Sequence, residues 1–302
     1  MSNLQTLEPP AAAAIEGPGA ARSVPARRRL PRTAGRARRR NSRAAFILPG
    51  AVLVLVVAWA LLPGVFAPAD PIAGNAAVAL SPPSAEHWFG TDATGRDVFS
   101  RVVHGSIHSL SGALLAVTVG LVVGSTLGII AGSAGRIVDD VIMRVVDVLL
   151  AIPSLLLSLS VIILLGFGTL QAALAVGVAS IAAFARLARS EVVRVRRSDY
   201  VEAAFGSGAT FFQVLRRHIL PNSTTAVLAL AALQFGTAIL AISTLGFLGY
   251  GAPPPTPEWG LMVAEGRDYL ATAWWLTTLP GLVVVAVVLS ANRISALIGR
   301  NQ

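Results

Sequence analysis

The chain contains no cysteine, so it forms no disulfide bond and offers neither a thiolate metal ligand nor a cysteine nucleophile. Lysine is also missing, since all 24 basic residues are arginine. Charged residues make up only 13% of the 302, about half the share typical of soluble domains. A Walker-type phosphate loop and a nucleophile–base pair are absent as well. The sequence therefore predicts a chain that is not an enzyme and binds no cofactor.

Long apolar runs fill most of the remaining sequence. The composition is 54% hydrophobic, the mean hydropathy is +0.70, and a bilayer crossing needs about 20 apolar residues. The predicted fold class is all-α, a polytopic membrane protein with six transmembrane helices. The predicted crossings are residues 44–66, 109–134, 141–166, 169–189, 223–248 and 274–298.

The polar segments divide the chain into two predicted domains. Residues 1–43 form an Arg-rich tail that we expect to be disordered and cytoplasmic, with anionic membrane lipid as a plausible contact. Residues 44–302 form the transmembrane domain, with outer loops at 68–108 and 249–273 and a cytoplasmic loop at 190–222.

The distribution of arginine predicts orientation. Of the 24 arginines, only Arg96, Arg101 and Arg267 fall on the side opposite the tail, and positive charge collects on the cytoplasmic side of membrane proteins. Both termini are therefore predicted to be cytoplasmic, in a multi-pass protein of the cell inner membrane. Because the arginines flank apolar runs, the net charge of +9 does not predict nucleic-acid binding.

Small residues recur at every fourth position in the second predicted span. Such a face lets helix backbones approach closely in lipid, so it is predicted to pack against another helix rather than to line a passage. The residues are Gly112, Ala116, Gly120, Gly124, Gly128 and Gly132.

Ionisable residues near the membrane leave alternatives open. Asp147 lies in the third span and either pairs with Arg144 or marks a transport pathway. Pro153, in the middle of that span, is predicted to kink the helix. His104 and His108 have the i, i+4 spacing of metal ligands, but without a third ligand nearby we predict no metal site.

A polar segment at 200–222 has the order Glu-Ala-Ala, glycine and Leu-Pro between two apolar runs. Gly208 permits backbone angles that other residues avoid, and Pro221 is unfavourable in a helix interior. This order resembles the cytoplasmic EAA loop of ABC importer membrane subunits. The resemblance implies two short helices that dock on an ATPase subunit. The implied docking residues are Tyr200, Glu202, Ala203, Ala204, Gly208, His218, Leu220 and Pro221.

A second motif, Gly-Thr-Asp-Ala-Thr-Gly-Arg-Asp-Val-Phe-Ser-Arg at 90–101, is called the outer motif below. It is similar to the GTDxxGRDxxSR signature of dipeptide, oligopeptide and nickel ABC permeases, in the subunit with the long first periplasmic loop. The segments at 147–154 and 254–269 also resemble that group. The motif residues implied to matter are Gly90, Thr91, Asp92, Gly95, Arg96 and Asp97.

The resemblance implies a type I ABC importer permease that translocates di- or oligopeptides. Its implied partners are a sister permease subunit, one or two ATPase subunits and an extracytoplasmic substrate-binding protein. A permease for nickel or a metal chelate is the alternative within transport. A membrane scaffold or receptor without transport is the alternative of another class, and it leaves the docking segment unexplained.

Overall fold

The structure is a computed structural model that describes the backbone of residues 34–299 and the side chains of residues 47–296. Within this range it is helical and contains no strand, only an isolated bridge between Thr91 and Asp97. The α-helices are α1 Ala34–Leu61, α2 Pro63–Phe66, α3 Val98–Val119, α4 Ser125–Ser133, α5 Arg136–Ala151, α6 Ser154–Leu165, α7 Thr169–Arg196, α8 Asp199–Gly206, α9 Phe211–Val214, α10 Leu220–Phe247, α11 Trp259–Gly266 and α12 Trp275–Gly299.

The membrane crossings agree with the sequence prediction only in part. Four unbroken helices of the described range are long and apolar enough to cross a bilayer: Val98–Ser133, Thr169–Arg196, Phe211–Phe247 and Trp275–Ala296. The first predicted crossing corresponds to a shorter apolar helix, Ile47–Leu61. Helix α1 begins at Ala34, ahead of the predicted start at 44, and residues 1–33 of the predicted tail lie outside the described residues.

The third predicted span, 141–166, is not one kinked helix. It breaks at Ile152 and Pro153 into α5 and α6, which meet at an angle of 98°. The break at Pro153 confirms the predicted weak point, but the size of the bend was not predicted. Pro153 cannot donate the backbone hydrogen bond of a helix interior, and α5 carries charged side chains that a membrane interior disfavours. They are Arg136, Asp139, Asp140, Arg144 and Asp147.

The second span begins earlier than predicted. The Asp97 carboxylate accepts a hydrogen bond from the Ser100 backbone N–H at 2.6 Å and so caps α3, which takes over part of the predicted loop 68–108. Helices α3 and α4 are joined by a π-helical turn, Gly120–Gly124, and form one rod.

The small-residue face of this rod packs against α7, as predicted. A Cβ atom at Gly124 would overlap the Ile181 carbonyl oxygen, and one at Gly128 would overlap that of Ala185. Helix α7 also packs against α5, α6 and α10, and α10 packs against α12. Helix α7 is therefore the central helix of the transmembrane domain, and close backbone approach is what holds α3 and α4 to it.

Candidate functional sites

The segment from the end of α7 to the start of α10, residues 197–219, is called the docking loop. It folds as helix α8, a turn and helix α9. Gly208 lies in the turn with φ +85°, a backbone conformation that side-chain-bearing residues rarely adopt. Thr210 and Gln213 cap α9 reciprocally: Gln213 Oε1 accepts from the Thr210 N–H at 2.9 Å, and Thr210 Oγ1 accepts from the Gln213 N–H at 3.4 Å. The predicted helix–turn–helix is therefore present.

The docking loop is anchored to α7 by a small apolar core. Val201 of α8, Val214 of α9 and the following Ile219 are buried together with Val192 and Val195 of α7. A π-helical turn, Leu215–Ile219, joins α9 to α10. The helix therefore runs without interruption from Phe211 to Phe247, and the docking loop is continuous with a membrane crossing.

The outward side of the docking loop and of the first turn of α10 carries most of the predicted docking residues. Tyr200, Glu202, Ala203, Gly208 and Pro221 are exposed. The others, Ala204, His218 and Leu220, are half-buried, and Ala204 packs against the anchoring core. The Tyr200 ring lies 6.2 Å from the His218 imidazole, centroid to centroid.

Three phenylalanines complete this surface and were missed at the sequence level. Phe205 and Phe211 are exposed, and Phe212 is 72% exposed. The buried positions of α8 and α9 are filled by Val201 and Val214 instead. The adjacency of Phe211 and Phe212 is the signal that was available, because successive residues of a helix point in different directions.

The outer motif forms a self-contained turn. Asp92 Oδ1 accepts hydrogen bonds from the Thr94 N–H at 2.9 Å, the Thr94 hydroxyl at 2.8 Å and the Arg96 N–H at 3.0 Å. Asp92 Oδ2 accepts from Arg96 Nε at 2.5 Å. Burial acts to raise the pKa of Asp92, but these hydrogen bonds outweigh it and hold the pKa below its usual range. The turn thus keeps a buried carboxylate charged.

Two glycines make the turn possible. Gly90 and Gly95 have φ values of +71° and +77°, and a Cβ at Gly95 would overlap the backbone of Asn75. Thr91 is buried and accepts a hydrogen bond from the Ser81 N–H at 2.9 Å. Trp275 of α12 donates to the Thr91 carbonyl oxygen at 3.2 Å. The six predicted motif residues are therefore brought together, with Asp97 capping α3.

Arg101, the last residue of the outer motif, joins the two outer loops. Its side chain is 1% exposed. Its guanidinium donates to the Pro71 carbonyl at 3.3 Å, the Pro255 carbonyl at 3.2 Å and the Glu265 carboxylate at 3.1 Å. Arg96 approaches the same carboxylate at 3.7 Å. The sequence indicates the motif but not this set of Arg101 contacts, called the outer clamp below. Its partners are up to 164 positions away along the chain.

Glu258 is a second buried group that the sequence did not single out. It caps α11, since its carboxylate accepts from the Gly260 N–H at 3.0 Å and the Leu261 N–H at 2.8 Å. Burial raises its pKa, and these two bonds offset only part of that rise. The following Trp259 donates its indole N–H to the Val102 carbonyl at 3.0 Å. Helix α11 is therefore fixed against α3.

Asp147 does not pair with Arg144, which was one of the two alternatives left open for it. Its carboxylate accepts instead from the guanidinium of Arg186 on α7. A parallel pair joins α5 to α7 nearby, where Arg189 donates twice to Asp139, each time at 2.6 Å. The helix break at Pro153 explains the change, because it lets α5 lie with its charged side along α7.

The histidines of α3 do not form a metal centre with other described residues. His104 Nδ1 lies 2.9 Å from the Ser100 carbonyl oxygen of the same helix. No group of three His, Cys, Asp or Glu side chains that could hold a metal ion occurs within the described part of the chain.

The described residues form a multi-pass helical membrane protein with a folded polar loop at one end. The family model of binding-protein-dependent transport system inner membrane components matches residues 124–301. The chain belongs to this family, and it is thus an inner-membrane transport component rather than an enzyme.

Characterised relatives extend the match toward the N-terminus. The chain is 41% identical over 215 residues to the dipeptide transport system permease protein DppC of Alkalihalophilus pseudofirmus, covering 71% of each chain. It is 39% identical over 241 residues to the probable D,D-dipeptide transport system permease protein DdpC of Escherichia coli, covering 80% of this chain and 81% of the relative.

A solved structure supports the fold alone. The inward-facing MetNI methionine ABC transporter contains a chain that aligns with a TM-score of 0.54 at 20% identity. The alignment covers 66% of this chain and 97% of that one. The helical arrangement described above is therefore shared with a chain of that transporter.

Proposed function

We propose that this chain is one permease subunit of an ATP-driven importer that carries di- or oligopeptides across the inner membrane. The observation that carries the proposal is the similarity to two dipeptide permeases, at 39–41% identity over most of the chain. In this arrangement a sister permease subunit completes the membrane part. One or two ATPase subunits supply energy, and an extracytoplasmic binding protein delivers the peptide.

The docking loop is proposed as the contact with the ATPase. It combines an exposed carboxylate, Glu202, with the exposed rings of Tyr200, Phe211 and Phe212. Aromatic side chains that bury well against a partner are the usual energetic centre of an interface. A contact between Glu202 and a partner cation adds a charge-assisted hydrogen bond of about 1.5–3 kcal/mol. The His218 ring lies next to the Tyr200 ring, at a tilt of 55°.

The outer motif is proposed as the support for the surface that receives the binding protein. Its charged side chains form ion pairs within the chain, Asp92 with Arg96 and Arg101 with Glu265. Such groups position a backbone rather than recognise a solute. We therefore assign the motif to the shape of the outer face and not to peptide selection.

Orientation is part of the proposal. The docking loop must face the ATPase, so both termini and residues 197–219 lie in the cytoplasm, while Arg96, Arg101 and Arg267 lie outside. Reporter fusions after Ala69, Pro254 and Gln302 test this directly. We expect periplasmic activity from the first two only, and periplasmic activity at Gln302 would contradict the orientation.

The transport proposal is tested by reconstitution. The chain is co-expressed with the permease, ATPase and binding-protein genes of its source and placed in proteoliposomes. We expect ATP-dependent accumulation of radiolabelled dialanine, with none when the ATPase is omitted. Accumulation of a chelated nickel ion in the absence of any dipeptide uptake would replace peptide by metal chelate as the substrate. Absence of both would contradict import.

A further inference from the structure

A cavity of about 460 Å³ lies between α3, α6, α7 and α10, within the range of about 300–1,000 Å³ typical of small-molecule sites. On α3 it is bounded by Ala116 and Val117, near the middle of the rod. On α7 and α10 its walls are kept open by small residues, Ala179, Ala183 and Ala241. The cavity therefore lies within the membrane-spanning part of the fold and not at either end.

The helix break at Pro153 is next to this cavity. Leu150 of α5 and Ser154 and Leu155 of α6 are part of its wall. Backbone that departs from a helix is costly in lipid and is tolerated where it borders a cavity or protein. The position of the break is consistent with a wall that meets water or solute rather than lipid.

The cavity wall carries hydroxyl groups but no charged side chain. Ser158 donates to the Ser154 carbonyl at 2.9 Å, Ser180 to the Gly177 carbonyl at 2.7 Å and Thr244 to the Leu240 carbonyl at 2.8 Å. Because each hydroxyl proton is used within its own helix, the lone pairs of these oxygens remain as acceptors. The cavity thus offers acceptors for N–H groups and no counter-ion.

Gln234 is the largest polar side chain of the wall. Its Oε1 lies 3.2 Å from the Thr237 hydroxyl of the same helix, which also donates to the Gln234 backbone carbonyl at 2.9 Å. Its amide NH₂ makes no hydrogen bond to any other described side chain or backbone group. This leaves a donor beside the hydroxyl acceptors, the complement of a peptide group with its C=O and N–H.

We propose that this cavity is the segment of the solute path that this subunit supplies, and that Gln234 binds a backbone amide of a net-neutral peptide within it. The peptide part of the inference rests on the proposed function. A charged side chain on the peptide would lose hydration there without gaining a partner of opposite charge. Recognition through amide groups makes the site indifferent to the identity of apolar side chains.

The absence of cysteine allows a direct test in the assembled complex. Single variants Ala183→Cys and Ala241→Cys place a thiol in the cavity wall, and Leu164→Cys places one on the 86% exposed apolar side of α6. Each complex is treated with a charged, membrane-impermeant thiol reagent, and labelling is measured on this chain after separation of the subunits. We expect both cavity thiols to be labelled and the Leu164→Cys thiol, in lipid, to remain unlabelled.

This first arm needs no peptide, so it tests the passage independently of the substrate. Cavity thiols that are no more reactive than the Leu164→Cys control would overturn the passage, whatever the wild-type complex transports. They would show that lipid or the sister subunit seals the cavity.

The second arm tests Gln234 with dialanine, the binding protein and ATP. We expect the peptide to slow labelling of the Ala183→Cys variant several-fold. We also expect Gln234→Leu to lower dialanine uptake roughly tenfold, the size of one lost hydrogen bond to a polar group, with ATPase association unchanged. Gln171→Leu, on α7 outside the cavity, is the matched control. Wild-type uptake of dialanine with no protection and normal uptake by Gln234→Leu would overturn the site. Failure of wild-type uptake itself would count against the proposed function.

Discussion

The outer face and the docking loop differ in how their side chains are satisfied within this chain. At the outer face, Asp92, Arg96, Arg101 and Glu265 satisfy one another's charges within the chain. In the docking loop, a core of five apolar residues holds two short helices, while Phe211 and Phe212 remain exposed. The difference is that the charged groups of the outer face pair within this subunit, whereas the docking loop leaves aromatic side chains exposed.

The largest expected effect comes from breaking the outer clamp. Arg101→Met removes the buried guanidinium and leaves Glu265 without its closest partner, at an expected cost of about 3–5 kcal/mol. Thermal unfolding in detergent and the amount of protein in the membrane measure the loss. Arg267→Met is the matched control, since Arg267 is 57% exposed at its side chain and should change little. Equal behaviour of the two variants would show that the outer face is not self-supporting.

Two glycines of similar backbone conformation allow a sharper comparison. Gly95 and Gly208 have φ values of +77° and +85°, but a Cβ at Gly95 would overlap Asn75, whereas one at Gly208 has no atom within 4 Å. Gly208→Ala should therefore cost only the backbone strain, about 1–2 kcal/mol. Gly95→Ala should cost clearly more, through displacement of the outer turn. The free energy of unfolding is measured for both variants. Equal losses would mean that the outer turn moves aside for the added Cβ at little cost.

A smaller effect on stability, with a large effect on assembly, is expected at the docking surface. Phe212→Ser and Glu202→Ala change exposed side chains, so unfolding should shift by less than about 0.5 kcal/mol. Co-purification of the ATPase should fall in both. Val214→Ser, which alters the buried side of α9, is expected to disturb the loop itself. Normal ATPase binding by Phe212→Ser and Glu202→Ala would place the docking surface elsewhere.

The smallest expected effect is on the pH dependence of the free energy of unfolding. Because burial raises the pKa of Glu258 in the folded chain above its ordinary value of 4.5, the folded state holds this proton longer than the unfolded state. Stability from this group is fully present below about pH 4.5 and is lost as pH rises through the folded pKa. Glu258→Gln should remove that decline.

Unfolding of wild type and Glu258→Gln between about pH 4 and pH 8 measures the difference in slope. Glu86→Gln, at an exposed position in the first outer loop, serves as the control. If the free energy of unfolding depends on pH in the same way for wild type and Glu258→Gln, the Glu258 carboxylate does not change its proton uptake on folding.

The sequence predicted best what depends on local chemistry. Gly208 was expected in a turn and has a positive φ, and the small-residue face of α3 and α4 was expected to pack and does so against α7. Both follow from the size of a glycine, which is the same in any fold.

What the sequence could not predict depends on partners distant along the chain. Asp147 has Arg144 three residues away, yet it pairs with Arg186 because the bend at Pro153 turns α5 along α7. The clamp at Arg101 has the same origin, since Glu265 and Pro255 reach it only after α11 is in place. The spacing of two residues in the sequence indicates whether they are neighbours within one helix. It does not indicate which helices pack against each other.

The uninterrupted helix from Phe211 to Phe247 has a mechanical consequence. At 1.5 Å per residue its 37 residues form a lever about 55 Å long, with the docking residue Phe212 near one end and Gln234 and Thr244 of the cavity wall farther along. Under the proposed docking, a displacement of Phe212 is expected to be transmitted along this helix and to shift the cavity wall relative to α7. Spin labels at Phe212 and Thr244 should keep a constant separation through the nucleotide cycle while both move against Ala183, and a changing separation would mean that the lever bends.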